Sequence, residues 1–151
     1  MQLADLLTID RIRIPLAGGT KSALLAELVS IVAADDGVGD REIVLRAVLD
    51  REAILSTGIG HGVAIPHGKS AVVPELRMAA GRTTAPVDFD SLDGQPVQLL
   101  FLLIGPESAA GPHIKALSRI SRLVRREDVR ERLVLANSAG EFLQALREAE
   151  A

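Results

Sequence analysis

The chain has 151 residues, of which 48% are hydrophobic, and its net charge is −3 from 17 lysines and arginines against 20 aspartates and glutamates. This length suits one domain with a single core, residues 1–151, and the apolar content excludes a disordered chain. The charge balance and the presence of only three aromatic residues argue against nucleic-acid binding, and the lack of cysteine excludes disulfides and thiolate metal sites.

The apolar stretches are too short to cross a membrane. The longest, residues 97–104, is interrupted by Gln98 and ended by Gly105-Pro106, whereas a spanning helix needs about 20 apolar residues. The first residues, MQLADLLTIDR, lack the basic start and the long apolar core of a signal peptide. The sequence therefore predicts a cytoplasmic protein.

The first part of the chain predicts a strand and then a capped helix. RIRI, residues 11–14, alternates polar and apolar residues like a short strand, which Pro15 is expected to end. Thr20 can cap a helix through its hydroxyl group, and Gly37 is expected to terminate that helix. Its apolar face is formed by Leu24, Leu25, Leu28, Val29 and Val32.

A second helix and three strands follow. Asp40 is a candidate N-cap for a helix over residues 41–55. Its apolar positions are Ile43, Val44, Ala47, Val48 and Leu55. Strands are predicted over residues 62–65, 76–84 and 97–104. The last is almost continuously apolar, which is typical of a strand buried on both faces.

After Gly105-Pro106 the pattern becomes helical again. Helices are predicted over residues 113–124, 127–136 and 141–148. The first of these has an apolar face made of Ile114, Leu117, Ile120, Leu123 and Val124. Helices thus flank a central block of strands, which predicts an α/β or α+β layered domain with a single mixed sheet.

An arginine-rich run, residues 122–133, also carries interleaved acidic residues. It is interpreted either as a solvated helical face with i,i+4 ion pairs or as a docking surface for an acidic partner.

The stretch GVAIPHGKS, residues 62–70, could belong to either of two phosphate chemistries. Gly-Lys-Ser ends a nucleotide-binding P-loop, but that loop has four residues between its first glycine and Gly-Lys-Ser, and here five lie between Gly62 and Gly68. Pro66 removes a backbone N–H, and no helical pattern follows Ser70. Residues 17–22, AGGTKS, also fail because Thr20 separates glycine from lysine.

The second chemistry is phosphoryl acceptance by His67. Pro66 stiffens the end of the preceding strand, and Gly68 is expected to let the chain turn away and leave space beside the imidazole. An acceptor histidine needs one free ring nitrogen, with the other held as a donor, and N–H donors or cations around the phosphoryl oxygens. The alternative is a turn histidine without a chemical role.

The other candidate residues are weaker on sequence alone. His113 follows Gly111-Pro112 at a predicted helix start, where an anion is favoured and a histidine stays neutral, and we hypothesise that it faces His67. Arg51, at a helix end, could bind phosphoryl oxygens or be simply solvated. His61 is expected to be a solvated loop residue or to tune the site.

The motif around His67 resembles the phosphohistidine signature of enzyme IIA of the fructose/mannitol class, from the bacterial phosphoenolpyruvate:sugar phosphotransferase system. The matching residues are Glu52, Ile59-Gly60 and Val63 to Gly68. Residues 85–107 and 113–124 also match, so the resemblance covers nearly the whole chain. His61 departs from the family, in which a different polar residue, often asparagine, occupies this position.

The resemblance implies a fold and a set of roles. The fold is a mixed sheet of about five strands flanked by helices. His67 would accept a phosphoryl group from phosphorylated HPr, His113 would be the second active-site histidine, and Arg51 would stabilise phosphoryl charge. No metal, nucleotide or other cofactor is implied.

Three functional hypotheses remain open. The chain could pass phosphate from His67 to a sugar-specific membrane component of the enzyme IIB/IIC type. It could instead act as a regulator whose phosphorylation state controls binding to target proteins. PHGKS and PVDFDSLDGQPV, residues 86–97, favour this nitrogen-regulatory subtype in a chain without a fused transporter or HPr segment, although a separate sugar-specific subunit would look much the same. A third hypothesis is a zinc site with His61, His67 and His113 as ligands.

Overall fold

The computed structural model describes residues 2–151 and places helices on both faces of one mixed sheet. The helices are α1 (Leu3–Leu6), α2 (Lys21–Ala33), α3 (Arg41–Ile54), α4 (Ala110–Leu123), α5 (Glu127–Leu135) and α6 (Ala139–Glu150). The strands are β1 (Ile12–Leu16), β2 (Gly58–Gly60), β3 (Val63–Ala64), β4 (His67–Lys69), β5 (Arg77–Val87) and β6 (Val97–Gly105). Each helix of residues 2–151 is too short or too polar to span a bilayer.

The predicted α/β fold with a single mixed sheet is confirmed, with six strands over residues 2–151 instead of about five. The strand order is β1-β5-β6-β3-β2. Strand β4 pairs with β6 as well, at positions further along β6 than those paired with β3. Strands β3 and β4 both run parallel to β6, with Val63 opposite Leu99 and His67 opposite Leu103. They therefore form one interrupted strand that leads directly to His67.

Strand β6 lies at the centre of the sheet and separates two apolar cores. Leu99, Phe101 and Leu103 pack against the core that contains α1, α4, α5 and α6. Leu100, Leu102 and Ile104 pack against the core beneath α2 and α3. The prediction of a strand buried on both faces is confirmed.

The predicted caps of α2 and α3 are also present. The Thr20 hydroxyl accepts the Ala23 N–H at 3.1 Å, and the Asp40 carboxylate accepts the Glu42 N–H at 2.8 Å. All five predicted apolar residues of α2 are buried. In α3 only part of the predicted face is buried, since Ile43 and Leu55 are 50% and 55% exposed.

Two expectations about chain breaks are wrong. Strand β1 continues through Pro15 to Leu16, which is possible because β1 is an edge strand and a proline can point its missing donor outward. The arginine-rich run is not one helical face, because α4 ends at Leu123 and α5 begins at Glu127. From α5, Arg130 donates to the carbonyl groups of Val124 and Arg125 in that break at 2.7 and 2.9 Å, so it closes the end of α4.

Gly68 has a different role from the one expected. The chain does not turn away there, because Gly68 is the middle residue of β4. A Cβ atom on Gly68 would lie 3.2 Å from the backbone carbon and oxygen of Ala47 in α3. The glycine therefore allows α3 to pack directly on the strand that carries His67.

Gly68→Ala is expected to lower the free energy of unfolding by about 1–3 kcal/mol, the usual cost of overpacking against groups that cannot move. The smaller chain entropy of alanine when unfolded offsets only about 0.4–1 kcal/mol of this. Urea unfolding measures the change. Gly111→Ala is the matched control, because a Cβ there meets open space in the first turn of α4. Equal stability of Gly68→Ala and wild type would contradict the packing argument.

Candidate functional site

His67 is held at the start of β4 with one ring nitrogen already engaged. Its Nδ1 atom lies 2.8 Å from the carbonyl oxygen of Ile65. Since a carbonyl group can only accept, Nδ1 carries the proton in this contact, and Nε2 of the neutral ring keeps a free lone pair. The backbone is fixed as well, because the Leu103 N–H donates to the Pro66 carbonyl at 3.0 Å.

The surroundings of His67 favour its neutral form. Burial lowers the pKa of His67 below its usual value, and the Arg51 charge lowers it further. The hydrogen bond to Ile65 and the nearby Glu52 carboxylate act in the opposite direction without reversing the shift. A histidine that is neutral near pH 7 keeps its second nitrogen available as a nucleophile.

His113 lies beside His67, as hypothesised. The two ring centroids are 5.6 Å apart and the ring planes meet at 70°, so the rings contact edge to face. His113 is not at the helix start, because α4 begins at Ala110 and His113 is buried in its first turn. Burial lowers the pKa of His113 to about 4, with further contributions from His67 and the Lys69 charge.

An open cavity of about 420 Å³ adjoins the two rings. Arg51, in the last turn of α3, donates to its own helix end at the Leu55 carbonyl at 2.8 Å and has further N–H groups to offer. Lys69 adds a second cation, and its Nζ atom lies 3.5 Å from Oε2 of the exposed Glu107. The lining residues are Ala47, Arg51, His67, Gly68, Lys69, His113, Ile114 and Leu117. A small anion would meet two neutral imidazoles and two positive charges here.

The apolar wall of this cavity was not predicted from the sequence. Ile114 and Leu117 were assigned to the core face of α4, yet Ile114 is 67% exposed and both residues line the cavity. His113 is buried in the structure, and Ile114, the next residue along the helix, therefore points to a different side of α4.

His61 does not join the other two histidines. It is exposed, has a positive φ of 57°, and lines a different cavity together with Glu127 and Arg130 of α5. The hypothetical three-histidine zinc site is therefore not assembled. Across residues 2–151 no three histidine, aspartate or glutamate side chains approach closely enough to share a metal ion.

The local structure also excludes a nucleotide-binding P-loop at residues 62–70. Lys69 ends strand β4, and the residues after it form a turn. A P-loop lysine would instead begin a helix whose N-terminus faces the phosphates.

The lowered pKa of His113 predicts that the fold loses stability in acid. Its pKa is about 4 when folded and about 6.5 when unfolded, so the unfolded chain binds more protons between these values. The contribution to stability is complete above about pH 6.5 and is lost as the pH falls towards 4, at up to about 1.4 kcal/mol per pH unit. Urea unfolding of wild type and His113→Asn from pH 7 to pH 4.5 measures this, and we expect the variant to lose less. Parallel curves would contradict the assignment.

Comparison with known proteins gives the chain a family. Residues 5–149 match the family model described as phosphoenolpyruvate-dependent sugar phosphotransferase system, EIIA 2. A nitrogen regulatory protein of Bradyrhizobium diazoefficiens is 40% identical over 92% of this chain and 90% of its own length. The fructose-specific EIIABC component of Bacillus subtilis is 37% identical over 98% of this chain, which spans only 23% of that relative.

A solved structure agrees with these relatives. The nitrogen regulatory protein IIA-Ntr of Neisseria meningitidis superimposes with a TM-score of 0.89 at 35% identity, over 95% of this chain and 98% of the other. Fold, motif and relatives thus confirm the resemblance seen in the sequence. The chain belongs to the EIIA 2 family of the phosphoenolpyruvate-dependent sugar phosphotransferase system.

Proposed function

We propose that this chain, as one EIIA domain, is a phosphocarrier whose His67 accepts a phosphoryl group from a phosphorylated HPr-type protein. The observation that carries the proposal is the Nδ1 contact to Ile65 at 2.8 Å. It leaves Nε2 as the single nucleophilic atom of a ring that burial keeps neutral. Membership of a phosphotransferase-system family supplies the substrate class.

The proposed step exchanges one nitrogen–phosphorus bond for another. The Nε2 lone pair of His67 attacks the phosphorus of the donor phosphohistidine in line, a bond from Nε2 to phosphorus forms, and the donor bond breaks with its electron pair returning to the donor imidazole. Leaving group and nucleophile are chemically alike, so the transfer needs positioning and charge stabilisation more than activation. We propose that neither a metal ion nor a nucleotide takes part.

The neighbouring side chains would stabilise the transferred group. Arg51 and Lys69 place positive charge on the cavity wall, where the phosphoryl oxygens carry their negative charge. His113 is neutral at pH 7 and can donate one N–H to a phosphoryl oxygen. His113 is therefore proposed as the second active-site histidine and Arg51 as the phosphoryl-binding arginine.

Two fates of the phosphoryl group are proposed. Similarity to nitrogen regulatory proteins favours a regulator whose phosphorylation state controls binding to target proteins. Similarity to the fructose-specific EIIABC component supports onward transfer to a sugar-specific enzyme IIB. The proposed partners are thus an HPr-type carrier and either an enzyme IIB/IIC component or regulatory targets.

The test is phosphorylation with purified components. The protein is incubated with phosphoenolpyruvate, enzyme I and HPr, and intact mass and acid lability are measured. We expect one added phosphoryl group that is lost in acid and is stable in base. Subsequent addition of enzyme IIB distinguishes the two fates, since only the carrier role predicts loss of the group to IIB. Absence of any adduct would refute the phosphocarrier proposal.

A further inference from the structure

A buried carboxylate lies behind the His67 site and takes no part in the chemistry proposed above. Glu52, in the last turn of α3, is 8% exposed. Its carboxylate accepts the Thr57 N–H at 3.0 Å and the Thr57 hydroxyl at 2.5 Å, and lies 2.9 Å from Lys21 Nζ. Three donors therefore converge on one acceptor-only group.

The hydrogen bonds continue from Thr57 to the imidazole. The Thr57 carbonyl accepts the Ile65 N–H at 2.9 Å. The Ile65 carbonyl is in turn the group that holds His67 Nδ1 at 2.8 Å. One unbroken series of contacts thus joins Lys21, Glu52, Thr57, Ile65 and His67. In this series the backbone N–H of Ile65 donates to Thr57, and the backbone carbonyl of Ile65 accepts from His67.

The carboxylate is charged under ordinary conditions. Burial by itself would raise the pKa of Glu52, but the hydrogen bonds from Thr57 and Lys21 and the Lys21 charge outweigh burial and lower the pKa. A charged acceptor makes shorter and stronger hydrogen bonds than a neutral one. The Glu52 carboxylate therefore holds Thr57, and with it the segment between α3 and β3, in a fixed position.

We infer that Glu52 is a positioning residue for His67: by holding Thr57 it fixes the backbone of Ile65, and so keeps the His67 proton on Nδ1 and the lone pair on Nε2. This inference rests on the proposed function and adds to it the origin of the acceptor tautomer. Misplacement of a reacting group by about 1 Å can cost about 10²-fold in rate, so loss of this support has a measurable effect.

Glu52→Gln is the decisive variant, because it keeps the shape and replaces one acceptor oxygen with an amide donor that faces other donors. We expect the single Nδ1–H tautomer of His67 at pH 7.5 to become a mixture, observed through the imidazole ¹⁵N shifts. We expect phosphorylation by HPr to slow about 10- to 100-fold in kcat, with KM for HPr unchanged, since the docking surface is intact.

The pH titration of His67 gives a second readout. The Glu52 charge raises the pKa of His67, so its removal is expected to lower the titration midpoint. The other charged or titrating neighbours, Arg51 on α3, Lys69 on β4 and His113 on α4, are unchanged in this variant.

Glu150→Gln is the matched control. Its carboxylate is also buried, accepts two backbone N–H groups, from Leu3 at 2.8 Å and Ala4 at 3.1 Å, and lies 3.6 Å from an arginine, Arg119. Loss of stability alone would thus be reproduced by this variant, whereas the tautomer and the midpoint of His67 should stay as in wild type. Thr57→Val, which removes only the hydroxyl contact, should give an intermediate effect.

The outcomes separate the inference from the function on which it rests. A wild-type tautomer in Glu52→Gln, or an equal tautomer mixture in Glu150→Gln, overturns the inference. If Glu52→Gln does not fold, the measurement moves to Thr57→Val, and absence of any minor tautomer there also overturns it. If the tautomer changes as expected but wild type accepts no phosphoryl group, the positioning role stands and the phosphocarrier function fails.

Discussion

Replacing His67 with alanine is expected to abolish phosphorylation completely. Within residues 2–151, the variant loses the one imidazole whose Nδ1 is held by a backbone carbonyl and whose Nε2 is free at the cavity. His113 is not expected to replace it, because His113 is only 4% exposed and a donor protein cannot bring its phosphoryl group into line with a buried ring. Intact mass after incubation with phosphoenolpyruvate, enzyme I and HPr measures the loss.

The control for this experiment is His61→Ala. His61 lies in a separate cavity, so this variant should be phosphorylated at the wild-type rate. Urea unfolding should confirm that both variants are folded. An acid-labile adduct that persists in His67→Ala would assign the acceptor to another residue and refute the central role of His67.

Replacing His113 with alanine is expected to slow phosphorylation about 10²-fold without abolishing it, because loss of one preorganised donor to developing negative charge costs about 10²–10³ in rate. The ring lies 5.6 Å from the His67 ring, within reach of an oxygen on a phosphoryl group bound there. Single-turnover transfer from phosphorylated HPr measures the effect. The variant should still become fully phosphorylated at long times, since the nucleophile remains.

Lys115→Ala is the matched control on the same helix. Lys115 is exposed on α4 and does not line the His67 cavity. Its removal should leave the single-turnover rate within about twofold of wild type, as for a surface change away from the reacting groups. If both variants slow transfer equally, the effect belongs to docking on α4, and the catalytic role of His113 is wrong.

Local chemistry made the main elements predictable from the sequence. Thr20 and Asp40 cap helices because a side-chain oxygen satisfies a free N–H, which depends only on neighbouring residues. The apolar run of β6 is buried on both faces because a strand without alternation has no polar face to expose. His67 was predicted as the acceptor from its motif, and the structure adds the hydrogen-bond partner of its ring.

The features that could not be predicted from the sequence depend on packing between distant parts of the chain. Strands β2 and β4 have three residues each, too few for an alternating pattern, and they exist only because β3 and β6 pair with them. The approach of His113 to His67 depends on how α4 crosses the sheet, which no local rule contains. The Glu52–Lys21 pair joins residues far apart in the sequence, so only the folded chain reveals it.

The placement of His67 in a strand limits how its phosphorylation state could be read. Backbone pairing with β6 on one side and contact with α3 on the other leave little freedom for this segment to rearrange. A phosphoryl group adds about 1.5 to 2 negative charges, and here it would do so between Arg51 and Lys69. Under the proposed function, a partner would distinguish the two states by neutralisation of a local positive charge over an unchanged surface shape, and its selectivity should weaken as ionic strength rises.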